Sequence, residues 1–135
     1  MRSLELPQNA KQSNAEESTS AADLYRNCFA CGNGKDGLGL TFKVSAKDTV
    51  SAEWFCEARY QSYPGIAHGG IIATVLDSAM TNCLLIKGIS AVTANLHVEY
   101  REPVRVGGMV TVKASLVRSR SPLFVLEAEI IQDER

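Results

Sequence analysis

The feature that most constrains this chain is a segment of 17 residues, 71–87, that contains neither glycine nor proline and is apolar nearly all round. As an α-helix it would be about 25 Å long, at 1.5 Å per residue. A helix without a polar face has to be surrounded by the rest of its fold. Lys87 in the last turn and Gly88 directly after it are typical of a helix end.

Other parts of the chain alternate between apolar and polar residues, as amphipathic strands do. The pattern predicts strands over 38–44, 49–57, 92–101, 110–116 and 123–132. Amphipathic strands form antiparallel sheets with one covered face. Because the sequence offers one long helix and no second, the sheet has to curl around it. The predicted fold class is therefore α+β.

The bulk composition limits the classes of function. The chain has 135 residues and a net charge of −1, which suits one domain and disfavours nucleic-acid binding, since that needs a lysine and arginine surplus on one face. Residues 1–22 are polar and small and predict a flexible tail before a domain over 23–135. No apolar stretch reaches the roughly 18 residues that span a bilayer. Lacking a signal or transit pattern, the protein is predicted to be cytoplasmic, with no membrane partner.

The four cysteines suggest thiols and not a disulfide scaffold. Cys56 and Cys83 lie in apolar runs, where free cysteine behaves as a small buried hydrophobe. Cys28 and Cys31 form a C-x-x-C pair, which is half of the ligand set of a structural zinc site. The favoured alternative is that both pack in a turn. We predict no metal and no cofactor.

Asp77 is the most informative residue. It is the only acidic or basic residue between His68 and Lys87. Aspartate is a mediocre helix former, and burying an unpaired carboxylate costs several kcal/mol. One explanation is a narrow exposed stripe or an arginine partner across an interface. The other is that the carboxylate does chemistry.

The sequence His68-Gly69-Gly70 opens the same helix. Helix N-termini present unpaired N–H donors and a partial positive charge, and glycines leave those donors accessible. Such a turn would stabilise the negative charge that develops on a thioester carbonyl. Asp77 lies seven residues beyond Gly70, which is about 10 Å along a helix axis. Two chains facing each other would bring both to one carbonyl.

The segment 68–77, HGGIIATVLD, resembles the central-helix motif of PaaI-type hotdog thioesterases, relatives of the 4-hydroxybenzoyl-CoA thioesterases. Further matching segments are Cys28–Gly32, Gly37–Leu40, Tyr63–Ile66 and Thr93–Leu96, with Tyr100 and Pro103. The likeness extends from about residue 26 to 133. It implies a hotdog fold, with an antiparallel sheet curled around one long central helix, and hydrolysis of acyl-CoA to free acid and CoA.

The resemblance also implies roles for individual residues. Asp77 would be the general base or nucleophile, and Thr93 would hold the attacking water beside it. Gly69 and Gly70 would offer backbone N–H groups to the carbonyl oxygen, with His68 orienting the turn. In such enzymes the glycine-rich turn comes from one subunit and the acid from the other. The expected partners are therefore an acyl-CoA substrate and other copies of the chain, as a homodimer or homotetramer.

Four further residues are candidates for substrate binding. Some branches of the family carry an asparagine at the position of Ser62, and Gln61 is its possible substitute. Arg118 and Arg120, beside Ser121-Pro122, form a small basic loop that suits the phosphates of CoA, because arginine forks match phosphate geometry. Solvent-exposed arginines without a ligand are the alternative.

Two questions stay open at this stage. Hotdog domains of this type normally have one more strand, inside the sheet, after the segment ending near Gln132; either the chain is a truncated form, or 123–132 pairs directly with 92–101. The rival functions are a non-catalytic acyl-CoA-binding or regulatory hotdog protein, which needs no acid at 77, and a hotdog hydratase, which uses a histidine with a carboxylate.

Overall fold

The computed structural model describes residues 2–5, 25–32 and 34–134, and of 2–5 only the backbone. Among these residues one helix, six strands and a short 3₁₀ turn are formed. The strands are β1 (Arg2–Glu5), β2 (Lys43–Ala46), β3 (Thr49–Cys56), β4 (Ala91–Asn95), β5 (Gly108–Arg120) and β6 (Leu123–Ile131), the helix is α1 (Gly69–Leu85), and the 3₁₀ turn is Ala58–Tyr60. No helix in these parts of the chain is long and apolar enough to cross a bilayer.

The six strands form one sheet in the order β2-β3-β5-β6-β1-β4. Every neighbouring pair is antiparallel. Helix α1 packs against one face of this sheet and contributes much of the core. An antiparallel sheet with a single helix against it confirms the predicted α+β class.

The core consists of alternate residues on the strands and the inner side of the helix. On the neighbouring strands β3 and β5 the inward residues are almost fully buried, as the alternation predicts: Val50, Ala52, Trp54, Cys56, Val110, Val112 and Ala114. From the helix come Ile72, Val75, Ala79, Met80, Cys83 and Leu84. Each fully buried valine or leucine side chain stabilises the fold by about 1.5–3 kcal/mol.

Helix α1 begins two residues earlier than the apolar pattern predicts and ends two residues earlier. His68 is its N-cap, and its Nδ1 accepts the N–H of Gly70 at 2.9 Å. The cap allows the two glycines to enter the helix. At the other end Gly88 has a φ of +76°, a conformation that glycine adopts without a steric cost.

The first predicted strand, 38–44, is mostly irregular, and only β2 pairs in the sheet. The backbone donors of this segment bind the preceding turn instead. The N–H of Leu38 donates to Phe29 O at 2.8 Å, and that of Leu40 donates to Ala30 O at 2.9 Å. Both leucines are buried, at 5% and 2% exposed. The C-x-x-C turn is thereby attached to the core.

The strand β1 comes from the segment that the sequence assigns to a flexible tail. Its residues pair with Leu123–Val125 of β6 on one side and with β4 on the other. Direct pairing of 123–132 with 92–101 is therefore wrong, because β1 lies between them. The remainder of the predicted tail, residues 6–22, lies outside the described residues.

Because β1 has only four residues, it fills one end of the space between β6 and the chain that follows β4. The predicted strand 92–101 is correspondingly shortened, since 96–101 have no strand partner in the described part of the chain. A cleft of about 1220 Å³ separates these residues from the second half of β6. Its floor includes Ile72, Leu76 and Met80 of the helix.

Candidate active site

The central feature of the site is a hydrogen bond between the helix and the edge of the sheet. Asp77 is half-buried in the middle of α1. The hydroxyl of Thr93, on β4, donates to Asp77 Oδ1 at 2.5 Å. No hydrogen bond to the second carboxylate oxygen is made by the described residues. One oxygen is thus held in place while the other is available to a substrate or a water molecule.

Thr93 reaches the carboxylate because β4 is irregular. Simple alternation in 92–101 puts Thr93 on the polar face, away from the helix. In the structure Ala91 and Leu96 both pack against the core, and Val92 is 47% exposed. The pairing with β1 steps from Thr93 directly to Asn95, so β4 carries an extra residue there. Such a bulge reverses which residues face inward.

The glycine-rich turn has one engaged donor and one unengaged donor. The Gly70 N–H donates to His68 Nδ1, while the Gly69 N–H has no acceptor among the described residues. The carbonyl oxygen of His68 accepts the N–H groups of Ile71 and Ile72 at 3.0 and 3.1 Å. The Gly69 N–H is therefore one of the donors in the first turn, at the positive end of the helix, that make no intrahelical bond.

Tyr100 completes this turn, a role that the sequence patterns do not predict. Its hydroxyl donates to the carbonyl oxygen of Gly69 at 2.7 Å. A Cβ placed on Gly69 would lie 3.4 Å from three atoms of the tyrosine side chain. The ring thus packs directly on the glycine. In the sequence, the only indication of this role is that Tyr100 is among the residues that match the family pattern.

The two halves of the predicted site lie at different heights on the same helix. Gly69 and Gly70 are in its first turn, and Asp77 follows seven residues after Gly70. This separation corresponds to about 10 Å along the axis. Within one chain the turn and the carboxylate are therefore too far apart to act on the same carbonyl group.

Gln61 and Ser62 lie in the exposed loop that precedes the turn. The side-chain oxygen of Gln61 accepts the N–H of Gly65 at 3.1 Å, and Gly65 has a φ of +81°. The N–H of Ser62 donates to Ile66 O at 2.8 Å. The side-chain oxygen of Gln61 thus stabilises the loop, while the Ser62 side chain is exposed.

Arg118 and Arg120 are on a strand, not in the predicted basic loop, because β5 continues to Arg120. Arg118 pairs with Val125 and Arg120 with Leu123. Their strand partners alternate with the buried Phe124 and Leu126, so both arginines project from the face of the sheet opposite the helix. The structure does not bring them near Asp77 of the same chain.

Metal ligation has little support in the described residues. No three or more of their histidine, cysteine, aspartate or glutamate side chains come together in a way that could hold a metal ion. Cys28 and Cys31 lie side by side but supply only two of the four ligands of a structural zinc site.

The sequence matches a known protein family over residues 64–135, which is the Thioesterase superfamily. Among curated proteins, "Acyl-coenzyme A thioesterase THEM4" of Mus musculus is 35% identical over 105 residues, covering 75% of this chain and 43% of the mouse protein. "Acyl-coenzyme A thioesterase 13" of Homo sapiens is 26% identical over 86 residues, covering 62% of this chain and 61% of the human one. The chain thus spans less than two thirds of the length of these relatives.

Solved structures with the same fold include the E. coli PaaI protein from the phenylacetic acid degradation operon. It superposes with a TM-score of 0.72 at 18% identity, covering 86% of this chain and 81% of PaaI. Thioesterase superfamily member 2 from Mus musculus gives a TM-score of 0.69 at 18% identity, with 88% and 87% covered. These likenesses define the class of protein as a hotdog fold.

This chain belongs to the thioesterase superfamily. The match of the family over more than half of its length and the PaaI-like structure together confirm the predicted PaaI-type hotdog family.

Proposed function

We propose that this protein hydrolyses acyl-CoA thioesters to a free acid and CoA, with Asp77 as the general base or nucleophile. The observation that carries the proposal is the hydrogen bond from Thr93 to Asp77. The lone carboxylate of an otherwise apolar helix has one partner that fixes its orientation, and its other oxygen accepts no hydrogen bond from the described part of the chain.

The chemistry needs a polarised carbonyl and an activated nucleophile. The Gly69 N–H, at the positive end of α1, donates to the thioester oxygen as negative charge develops on it. Asp77 either removes a proton from a water held beside Thr93 or attacks the carbonyl carbon itself. In both routes the C–S bond breaks and CoA leaves as its thiolate, which needs little further help. Where Asp77 has attacked the carbonyl carbon, a water then hydrolyses the anhydride between Asp77 and the acyl group, which releases the free acid and restores the carboxylate.

We propose that each site combines two chains. The turn and the acid of one chain cannot act on the same carbonyl group, yet both lie on one side of α1. Gly70, Thr74 and Asp77 are spaced four and three residues apart, which places them on one face of the helix. This face is less buried than the inner side of the helix. Beside them β4 ends the sheet, with Val92 47% exposed. A second copy placed against this surface would set its Asp77 opposite the first copy's turn, as a homodimer or within a homotetramer.

Substrate contacts extend from this centre. Ser62 and the amide nitrogen of Gln61, next to the turn, are proposed to contact the acyl carbonyl region. Arg118 and Arg120, on the opposite face of the sheet, are proposed to bind the phosphates of CoA that is held at the site of another copy. Loss of a phosphate contact should raise KM and leave kcat unchanged.

The decisive experiment replaces the carboxylate with its isosteric amide. Asp77→Asn should reduce kcat/KM on a panel of acyl-CoA substrates about a hundredfold or more, the usual scale for a general base. Asp36→Asn, at an exposed loop position, is the matched control and should leave turnover unchanged. Equal turnover in Asp77→Asn and wild type would contradict the catalytic assignment.

The non-catalytic alternative predicts a different pattern. A binding or regulatory protein would retain acyl-CoAs in equilibrium dialysis and hydrolyse none of them, and Asp77→Asn would then bind as well as wild type. The Thr93–Asp77 contact favours catalysis over this alternative.

A further inference from the structure

Cys28 and Cys31 occupy a tightly closed turn that the proposed hydrolysis does not use. The N–H of Cys28 donates to Tyr25 O at 2.9 Å, and the N–H of Gly32 donates to Cys28 O at 2.9 Å. The second bond closes one helical turn, in which residues i and i+3 lie on the same side. A Cβ on Gly32 would lie 2.5 Å from backbone oxygens of Arg26 and Cys28, so the turn is compact.

The two thiols contact each other and are chemically unequal. Burial opposes ionisation of Cys28, but hydrogen bonds from the backbone N–H groups of Cys31, Ala30 and Gly32 and from the Cys31 thiol outweigh it, so the pKa of Cys28 is lowered. Burial, together with the neighbouring Cys28, raises the pKa of Cys31 to about 11, despite a hydrogen bond with Asn82 that lowers it. Cys28 is thus the more acidic of the two thiols and accepts the hydrogen bond that Cys31 donates.

The thiols of Cys28 and Cys31 are accessible to solvent, whereas those of the other two cysteines are not. Cys28 and Cys31 are half-buried. The backbone between them is held by the hydrogen bonds that the N–H groups of Leu38 and Leu40 donate to Phe29 O and Ala30 O. Cys56 and Cys83 are 0% and 2% exposed, and burial raises the pKa of each. Cys28 and Cys31 are therefore accessible to a small oxidant, and Cys56 and Cys83 serve as buried cysteines for comparison in the same chain.

From this geometry we propose that Cys28 and Cys31 form a redox-active dithiol that a peroxide converts to an intramolecular disulfide. Cysteine Cβ atoms at i and i+3 of a helical turn are about 5–6 Å apart, and a disulfide needs roughly 3.5–4.5 Å. A small local movement is enough to close the bond.

The steps balance without any group beyond the peroxide. The Cys28 sulfur attacks one peroxide oxygen, the O–O bond breaks, and the leaving oxygen takes up the thiol proton as water, which leaves a sulfenic acid. The Cys31 sulfur then attacks the Cys28 sulfur, the S–O bond breaks, and the hydroxyl leaves as a second water with the Cys31 proton. Two thiols and one peroxide yield one disulfide and two waters.

This chemistry is adjacent to the catalytic helix. Cys31 hydrogen-bonds Asn82 of α1, and the Asn82 amide nitrogen donates to Ser78 O at 2.8 Å. Ser78 follows Asp77 directly. Formation of the disulfide removes the Cys31 thiol as a partner of Asn82, which lies five residues after Asp77 on the same helix.

The test treats the reduced full-length chain with hydrogen peroxide at increasing molar ratio, alkylates the remaining thiols and maps all four cysteines by mass spectrometry. The proposal expects a Cys28–Cys31 disulfide, two hydrogens lighter and reversed by dithiothreitol, while Cys56 and Cys83 stay alkylatable. Uniform oxidation of all four cysteines, or none at Cys28 and Cys31, would overturn it.

Two variants separate the roles of the sulfurs. Cys31→Ser should stop at the sulfenic acid of Cys28, which dimedone traps. Cys28→Ser should leave Cys31 reduced at the same peroxide ratio. A Cys28→Ser variant whose Cys31 oxidises as readily as the wild-type pair would refute the assignment of Cys28 as the attacking thiol.

Discussion

His68 Nδ1 accepts the N–H of Gly70 at 2.9 Å, so the residue that caps helix α1 also engages one of the two glycine donors. In the proposed mechanism, this contact makes His68 a positioning residue for the turn and leaves the Gly69 N–H to donate to an incoming carbonyl. The arrangement allows the cap to be tested separately from the chemistry.

Loss of the cap should affect stability and turnover together. His68→Ala should lower the free energy of unfolding by about 1 kcal/mol, the usual cost of an N-cap, and should reduce kcat/KM because the turn loses its fixed geometry. His68→Asn, which retains a capping side chain, should restore both in urea unfolding and acyl-CoA assays. A stable but inactive Asn variant would instead give His68 a direct part in the reaction.

Thr93 should matter through its hydroxyl. Thr93→Val keeps the shape of the side chain and removes the bond to Asp77, so kcat should fall about tenfold or more, given the strength of hydrogen bonds to charged groups. Thr93→Ser should retain most of the activity. If valine and serine variants have equal kcat, the hydroxyl does not position the carboxylate or its water.

A site made by two chains predicts complementation between inactive variants. Asp77→Asn removes the acid, and Gly70→Ala disturbs the turn because its Cβ would lie 3.1 Å from His68 Nδ1. When the two are mixed and allowed to exchange subunits, half of the dimers are mixed and one of their two sites is intact. Activity should then recover to about a quarter of wild type. Mixtures as inactive as their components would exclude the shared site.

The reactivity of Cys28 should depend on pH in a predictable direction. Because its pKa is lowered and that of Cys31 is raised to about 11, the Cys28 thiolate forms at a lower pH than that of an ordinary thiol. Its rate of alkylation by iodoacetamide should level off while that of Cys31 is still rising. In Cys31→Ala, which lacks the thiol donor, the Cys28 profile should shift toward higher pH. Identical profiles for both sulfurs would contradict the asymmetry.

Local patterns in the sequence were sufficient for the helix, the central strands and the position of Asp77. The alternation along β3 and β5 reports burial on one face, and the apolar run of α1 reports a surrounded helix. These properties depend on neighbours in the sequence, and so the sequence alone predicts them.

Other features depend on pairing between distant segments. The inward direction of Thr93 requires the extra residue in β4, and the outward direction of Arg118 follows a similar irregularity beyond Leu116. Strand β1 is four residues long and has no alternating pattern that would distinguish it from the polar residues that follow. Only its partners define it as a strand.

The position of β1 also makes the site dependent on the beginning of the chain. Ser3 pairs with Thr93, some 90 residues later in the sequence, and this contact belongs to the register that turns Thr93 toward Asp77. A protease that removes residues 1–5 would remove none of the proposed catalytic residues, yet it would remove the strand that holds Thr93 in position.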